Sequence, residues 1–156
     1  MANFILVCSD GQDSEGFSFG ASEVANKRLQ EGRWPLYRRT KHRRAFEKGD
    51  RLLIYVGGTG AKRQSFVATA AVAKIVSAEE TRSVPLLGRK KATTAVAAWL
   101  ELTSQRLLEP EIEIRPLLPR LSFAPNNPQR WGPTLIGGVR VITDVDWEII
   151  TNGQKQ

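Results

Sequence analysis

The stretch that most restricts the fold is Arg51-Leu52-Leu53-Ile54-Tyr55-Val56, followed by Gly57-Gly58-Thr59-Gly60 and then by the run from Ser65 to Val76. The first run is short, apolar and closed by glycine. The second is rich in β-branched residues and alanine. Together they predict two strands folded back on each other as a hairpin with a flexible tip. The low side-chain bulk of Ala68, Ala70, Ala71 and Ala73 predicts close packing against another element.

Around this hairpin the chain reads as short elements. Residues 3–8 form an apolar run too short for a helix, followed by the turn-forming Ser9-Asp10-Gly11-Gln12-Asp13, and predict a first strand. Ser22 is placed to cap a helix over 22–31, with Val24, Ala25, Leu29 and the stem of Arg28 on one face and Gly32 suited to end it. Thr40 and Gly49 bracket a predicted short basic helix over 40–48. Thr93 to Leu108 fits either a helix, with Val96, Trp99, Leu100 and Leu107 on one face, or a buried strand; propensity leaves both open. Ile112-Glu113-Ile114 alternates like a strand, and Pro116 and Pro119 confine Leu117-Leu118 to a short helical turn. Val139 to Ile142 is a short strand, and Thr143 caps a helix running through Ile150. Residues 77–95 are expected to be a surface loop. The sum is an α+β chain of many short strands and few helices, compatible with a small curled sheet or barrel. It is expected to be one domain over 1–151 with a frayed tail over 152–156.

Several chemistries lack their residues. Cys8 is the one cysteine and His42 the one histidine, so neither a disulfide nor a zinc cluster is available, and no metal or cofactor is expected. Gly57-Gly58-Thr59-Gly60-Ala61-Lys62 departs from a phosphate-binding loop in spacing and in its missing final hydroxyl. Asp144 and Asp146 fall in a first helical turn, where interaction with the helix dipole accounts for them. No apolar run reaches the ~20 residues of a membrane helix, and no basic region precedes the first apolar stretch, which predicts a cytoplasmic protein with no membrane partner. No catalytic set emerges, and the chain is expected not to be an enzyme.

The charge, by contrast, is informative. Lys and Arg number 23 against 16 Asp and Glu, a net +7, which favours a polyanionic partner. Eight of these cations, Arg33, Arg38, Arg39, Lys41, Arg43, Arg44, Lys48 and Arg51, fall within nineteen residues. Such a run predicts a binding face, with His42 within it contacting phosphate or solvent. Of the four tryptophans, Trp99 and Trp147 sit in apolar surroundings as core anchors. Trp34 and Trp131 sit beside Gly, Pro and Arg in Gly32-Arg33-Trp34-Pro35 and Gln129-Arg130-Trp131-Gly132-Pro133, contexts read as loops. There an indole either packs in the core or stacks on a nucleic-acid base.

The run Ile114-Arg115-Pro116-Leu117-Leu118-Pro119-Arg120-Leu121-Ser122-Phe123 precedes Arg130-Trp131-Gly132, Gly137-Gly138-Val139-Arg140-Val141-Ile142 and Asp146-Trp147-Glu148-Ile149-Ile150. This order resembles the closing signature of EVE domains, of the PUA-like superfamily. The first strand ending at Ser9-Asp10, Gly32-Arg33-Trp34, the basic segment and Leu52-Leu53-Ile54-Tyr55 follow the same family's order and, more distantly, that of YTH readers. The resemblance implies a PUA-like curled β-barrel of about five to six strands with flanking short helices, and a strand in the ambiguous 93–108 stretch. It implies binding of DNA or RNA that carries a modified base. The base pocket would be built from Trp34, Ser9, Asp10, Tyr55 and Trp131, and the phosphates held by Arg33, Arg38, Arg39, Lys41, His42, Arg43 and Arg44. It also implies a role in phage defence or restriction beside a nuclease partner. The chain lacks an alignable second cage tryptophan of the YTH pattern, so the resemblance does not carry over adenine methylation as the mark, and which modification is read stays open. The alternative is an enzyme or enzyme subunit acting on RNA or nucleotides, since related folds occur in such proteins.

Overall fold

The computed structural model describes residues 1–8, 11–12, 18–37, 40, 42–57, 64–77, 96–124 and 138–152. Its strands are β1 (Asn3–Cys8), β2 (Gly11–Gln12), β3 (Ser18–Phe19), β4 (Arg33–Tyr37), β5 (Arg51–Val56), β6 (Ser65–Ser77), β7 (Val96–Glu113) and β8 (Val139–Ile142). Its helices are α1 (Ala21–Glu31), a 3-10 helix (Arg115–Arg120) and α2 (Asp144–Asn152). Six strands form one sheet in the order β4-β7-β6-β5-β1-β8, and β2 and β3 pair separately.

The sheet grows from the hairpin. β5 pairs antiparallel with β6, from Arg51 opposite Ala71 to Val56 opposite Ser65. β1 runs parallel to β5, with Asn3 opposite Arg51 and Cys8 opposite Val56, and β8 pairs antiparallel on its other side. Parallel neighbours need a covered crossover, and α1 lies on that path. The β6/β7 pairing changes register three times, between Phe66 and Ala68, Thr69 and Ala71, and Val72 and Lys74. Bulges increase local twist and bend, and they curl the six strands into a half-barrel.

Both faces of the central strands are buried, which is why β5 is apolar throughout instead of alternating. On one face Leu52, Ile54 and Val56 pack with Phe4, Leu6, Val24, Leu29, Trp34 and Phe46. On the other, Leu53 and Tyr55 pack with Ile5, the 3-10 residues Leu117 and Leu118, and Trp147 and Ile150 of α2. Ala68 and Ala70 are buried, in keeping with their small size.

Some local expectations change. α1 begins one residue early, with Gly20 at the N-cap and no side-chain cap, so Ser22 is not the capping residue. Gly32 ends it in the left-handed region at φ 72, donating its N–H to the carbonyls of Arg28 and Leu29. From Val96 onward the stretch expected over 93–108 is the long strand β7, because β6 on one side and β4 on the other supply the pairing that periodicity cannot see, and 93–95 lie outside the described residues. The basic helix expected over 40–48 is replaced by turns. His42 has φ 58, which an α-helix does not accommodate, and the Ala45 N–H bonds back to the His42 carbonyl at 2.9 Å. With Phe46 alone buried among the described residues of this stretch, against Phe4 at 4.3 Å, a short helix there has too little packing to offset nucleation.

The closing helix is capped as expected. Thr143 Oγ1 accepts the Asp146 N–H at 3.0 Å. The Asp146 carboxylate, 1% exposed, accepts the backbone N–H of Ser122 at 2.9 Å and its hydroxyl at 2.5 Å. These bonds fix α2 to the turn after the 3-10 helix. Among the described residues no helix is long and apolar enough to cross a membrane.

Candidate nucleic-acid interface

Trp34 stands in β4 and not in a loop. Proline usually argues against a strand, but among the described residues β4 lies at the edge of the sheet, paired with β7 alone, where the missing N–H of Pro35 is tolerated. The indole is 3% exposed and belongs to the cluster under α1. Over its ring, 4.7 Å from the centroid, lies the guanidinium of Arg28 from the buried face of α1. Arg28 Nη2 donates to Tyr37 Oη at 3.3 Å, and the Tyr37 N–H donates to Thr40 Oγ1 at 2.9 Å.

This chain of contacts leads to a meeting of three passages. A Cβ on Gly138 would lie 3.8 Å from Thr40 Cγ2, and the Val7 N–H donates to the Gly138 carbonyl at 2.8 Å. The end of β1, the turn after β4 and the start of β8 therefore adjoin. These are the chain positions flanking Ser9-Asp10, the Arg38–Lys41 stretch and the segment that contains Trp131. Ser9, Asp10, Arg38, Arg39, Lys41 and Trp131 themselves lie outside the described residues.

Tyr55 does not join Trp34. Alternation along β5 turns it to the opposite face, where it is 2% exposed and meets Phe66 edge-on at 5.4 Å. Burial pushes its hydroxyl pKa well above the ordinary phenol range, while the Arg115 guanidinium pulls the other way. A base stacked on Trp34 cannot reach it from the same side of the sheet.

The described cations divide into two groups. Arg33 lies over Trp99 at 4.2 Å, and Arg51 lies over Trp147 at 4.4 Å while donating to Asn3 Oδ1 at 2.7 Å and pairing with Asp144 at 3.3 Å. Arg51 is thus a structural tie between β5 and α2, despite its place in the basic run. Each described tryptophan carries an arginine on its ring, a contact worth ~0.5–2 kcal/mol. His42 and Arg44 are exposed and Arg43 half-buried in the turn after Thr40, positions open to a phosphate backbone.

Two cavities, of about 470 and 330 Å³, lie between α1 and β7 and share Asn26 and Leu107. The larger is bordered by Glu109, Glu111 and Glu113, whose charge repels phosphate. Among the described residues no cluster of His, Cys, Asp and Glu could hold a metal.

Sequence reasoning missed Arg28 and Tyr37. The available signal was an arginine on the apolar face of α1 beside Val24, Ala25 and Leu29, where only its stem was expected to be buried.

The fold is shared with solved structures of low sequence identity. A crystal structure of a Pseudomonas putida protein aligns with TM-score 0.63 at 13% identity, covering 98% of this chain and 99% of that one. Human THYN1 in complex with DNA containing 5-methylcytosine aligns with TM-score 0.61 at 8% identity, covering 100% and 99%. No curated protein matches the chain in sequence. The family model of the EVE domain matches residues 14–153. With that match over most of its length and a PUA-like half-barrel beneath it, the chain belongs to the EVE domain family.

Proposed function

We propose that the protein is a non-enzymatic module that binds nucleic acid by enclosing one modified base against Trp34, with flanking phosphates held by the basic turn after β4. The observation that carries this reading is the connection from Trp34 through Arg28, Tyr37 and Thr40 to the junction of β1 and β8. It links a large aromatic ring, through three intervening residues, to the passages that lead to Ser9-Asp10, to the basic run and to Trp131. Ser9, Asp10 and Trp131 complete the pocket in this reading, and Arg33, Arg38, Arg39, Lys41, His42, Arg43 and Arg44 supply the cationic surround. Tyr55 is left out, because it serves the opposite face.

In this reading the base takes the face of the Trp34 ring over which Arg28 lies, displacing that side chain. Stacking a base there contributes about 1–3 kcal/mol. Extrusion of a base from a duplex costs a few kcal/mol, which stacking and phosphate attraction together offset. The THYN1 complex, in which a chain of this fold carries DNA with 5-methylcytosine, favours DNA as the partner. The acidic border at Glu109, Glu111 and Glu113 directs the backbone away from the α1/β7 groove. A module without its own catalytic set would bring a second activity, such as a nuclease in phage defence or restriction, to marked DNA.

The test is binding at fixed ionic strength to matched oligonucleotides carrying cytosine, 5-methylcytosine, adenine or N6-methyladenine at one position. A preference of about 10-fold or more for one modified base is expected, from the stacking and edge contacts of an enclosed base. Equal affinity across the set would remove the pocket and leave a non-specific polyanion binder.

A further inference from the structure

We propose that Arg28 is the residue that reads the enclosed base, donating hydrogen bonds from its guanidinium to paired acceptor atoms on the base edge. The inference rests on the reading of Trp34 as the pocket wall. Arg28 is 8% exposed, yet among the described residues no carboxylate pairs with it. One of its nitrogens reaches Tyr37 Oη at 3.3 Å, and its buried Nε has no hydrogen-bond partner. Arg51 shows the contrast: it also lies over a tryptophan, but Asn3 and Asp144 satisfy it.

Among the described residues Arg28 meets no anion; a buried cation in that state is costly, and an apolar side chain of similar volume would pack the same space at least as well. Packing alone therefore does not account for Arg28. A guanidinium offers five N–H donors in a planar fork and accepts nothing, so the ligand group that fits it presents two acceptors side by side. Cytosine presents O2 and N3 in this way, and guanine O6 and N7. The corresponding edges of adenine place the N6 amino donor beside the acceptor, opposing one arm of the fork. In the free protein the guanidinium rests on the Trp34 ring. When a base takes that face, Arg28 turns from the ring to the base edge, where Nε gains the acceptor it lacks and an Nη group donates beside it. Phosphate oxygens would offer the fork the same paired acceptors, so the experiment separates the two sources.

Arg28→Met and Arg28→Lys are made in the full chain, and thermal unfolding is measured with binding to matched oligonucleotides. These carry a modified cytosine, a modified adenine or an abasic site at the test position, with inorganic phosphate as competitor. Arg28→Met is expected to melt no lower than the parent, to lose about 10- to 100-fold in affinity for the cytosine oligonucleotide, and to bind the abasic one unchanged. Arg28→Lys, which keeps the charge without the fork, is expected not to restore the loss; it also carries the comparison if the methionine variant does not fold. An equal loss on the abasic oligonucleotide, or competition by phosphate that disappears in the variants, would show that Arg28 holds a phosphate and overturn the proposal. A lower melting temperature with unchanged affinity per folded molecule would overturn it as well, leaving Arg28 a packing residue. If the parent protein binds all three oligonucleotides equally, the pocket reading itself falls; if it discriminates and Arg28→Met still does, only the role of Arg28 falls.

Discussion

The indole of Trp34 belongs to the core as much as to any pocket, and the two roles have separate costs. Its side chain is 3% exposed among Leu29, Leu36 and Leu100, so Trp34→Ala is expected to lower stability by ~3–5 kcal/mol in denaturant unfolding. A loss below about 1 kcal/mol would contradict the packing described here. Sequence alone leaves Trp34 open between core and pocket and reads its context as a loop, because Pro35 disguises an edge strand. Trp99 and Trp147 are legible as core anchors, at 4% and 8% exposure, because apolar neighbours surround them in the chain. Tyr55 carries a second residue-level test. Its folded-state pKa is raised, so the neutral form is favoured in the native state. The stability this confers is present below the unfolded value near 10 and is lost as pH rises above it, because the unfolded chain releases its proton first. Urea unfolding at pH 8 and pH 11 should show a steeper alkaline decline for the parent than for Tyr55→Phe. Parallel declines would contradict the raised pKa.

Among the elements, α2 is held by its first turn more than by its exposed face. Asp146 serves Ser122 with both carboxylate oxygens, and α2 buries Trp147 and Ile150 under the sheet. Replacing Asp146 with alanine leaves the Ser122 donors without that acceptor and is expected to cost ~2–3 kcal/mol by thermal unfolding. An unchanged melting temperature would show that the bonds add nothing. The element is readable in the sequence: Thr143 announces the cap and the apolar positions announce the buried face. The partner of Asp146 is not, since Ser122 lies 24 residues away and nothing local points to it. The same limit explains β7, whose strand state is decided by pairing with β6 and β4. It also explains the segment after Thr40, where caps at both ends suggest a helix but too little apolar surface exists to hold one. Gly32, which needs only its own left-handed φ, is legible at once.

Across the whole molecule, charge is distributed unevenly. The turn after β4 is cationic, whereas the border of the α1/β7 groove carries Glu109, Glu111 and Glu113. Replacing Arg43 and Arg44 with alanine is expected to reduce the slope of log affinity against log salt by about 1–2, one counterion-release contribution for each phosphate that is no longer neutralised. An unchanged slope would remove this turn from the interface. The family and the curled α+β architecture are legible from the order of motifs along the chain. The contacts that link Arg28, Tyr37, Thr40 and Gly138 are not, because these residues come together only when the sheet curls. The central claim, that a modified base leaves its stack to lie against Trp34, is tested most directly by fluorescence of 2-aminopurine placed beside that base in a duplex. Brightening is expected to saturate at one protein per site on the modified duplex and to be absent from the unmodified one at equal occupancy. Binding of the modified duplex with no change in fluorescence would contradict it.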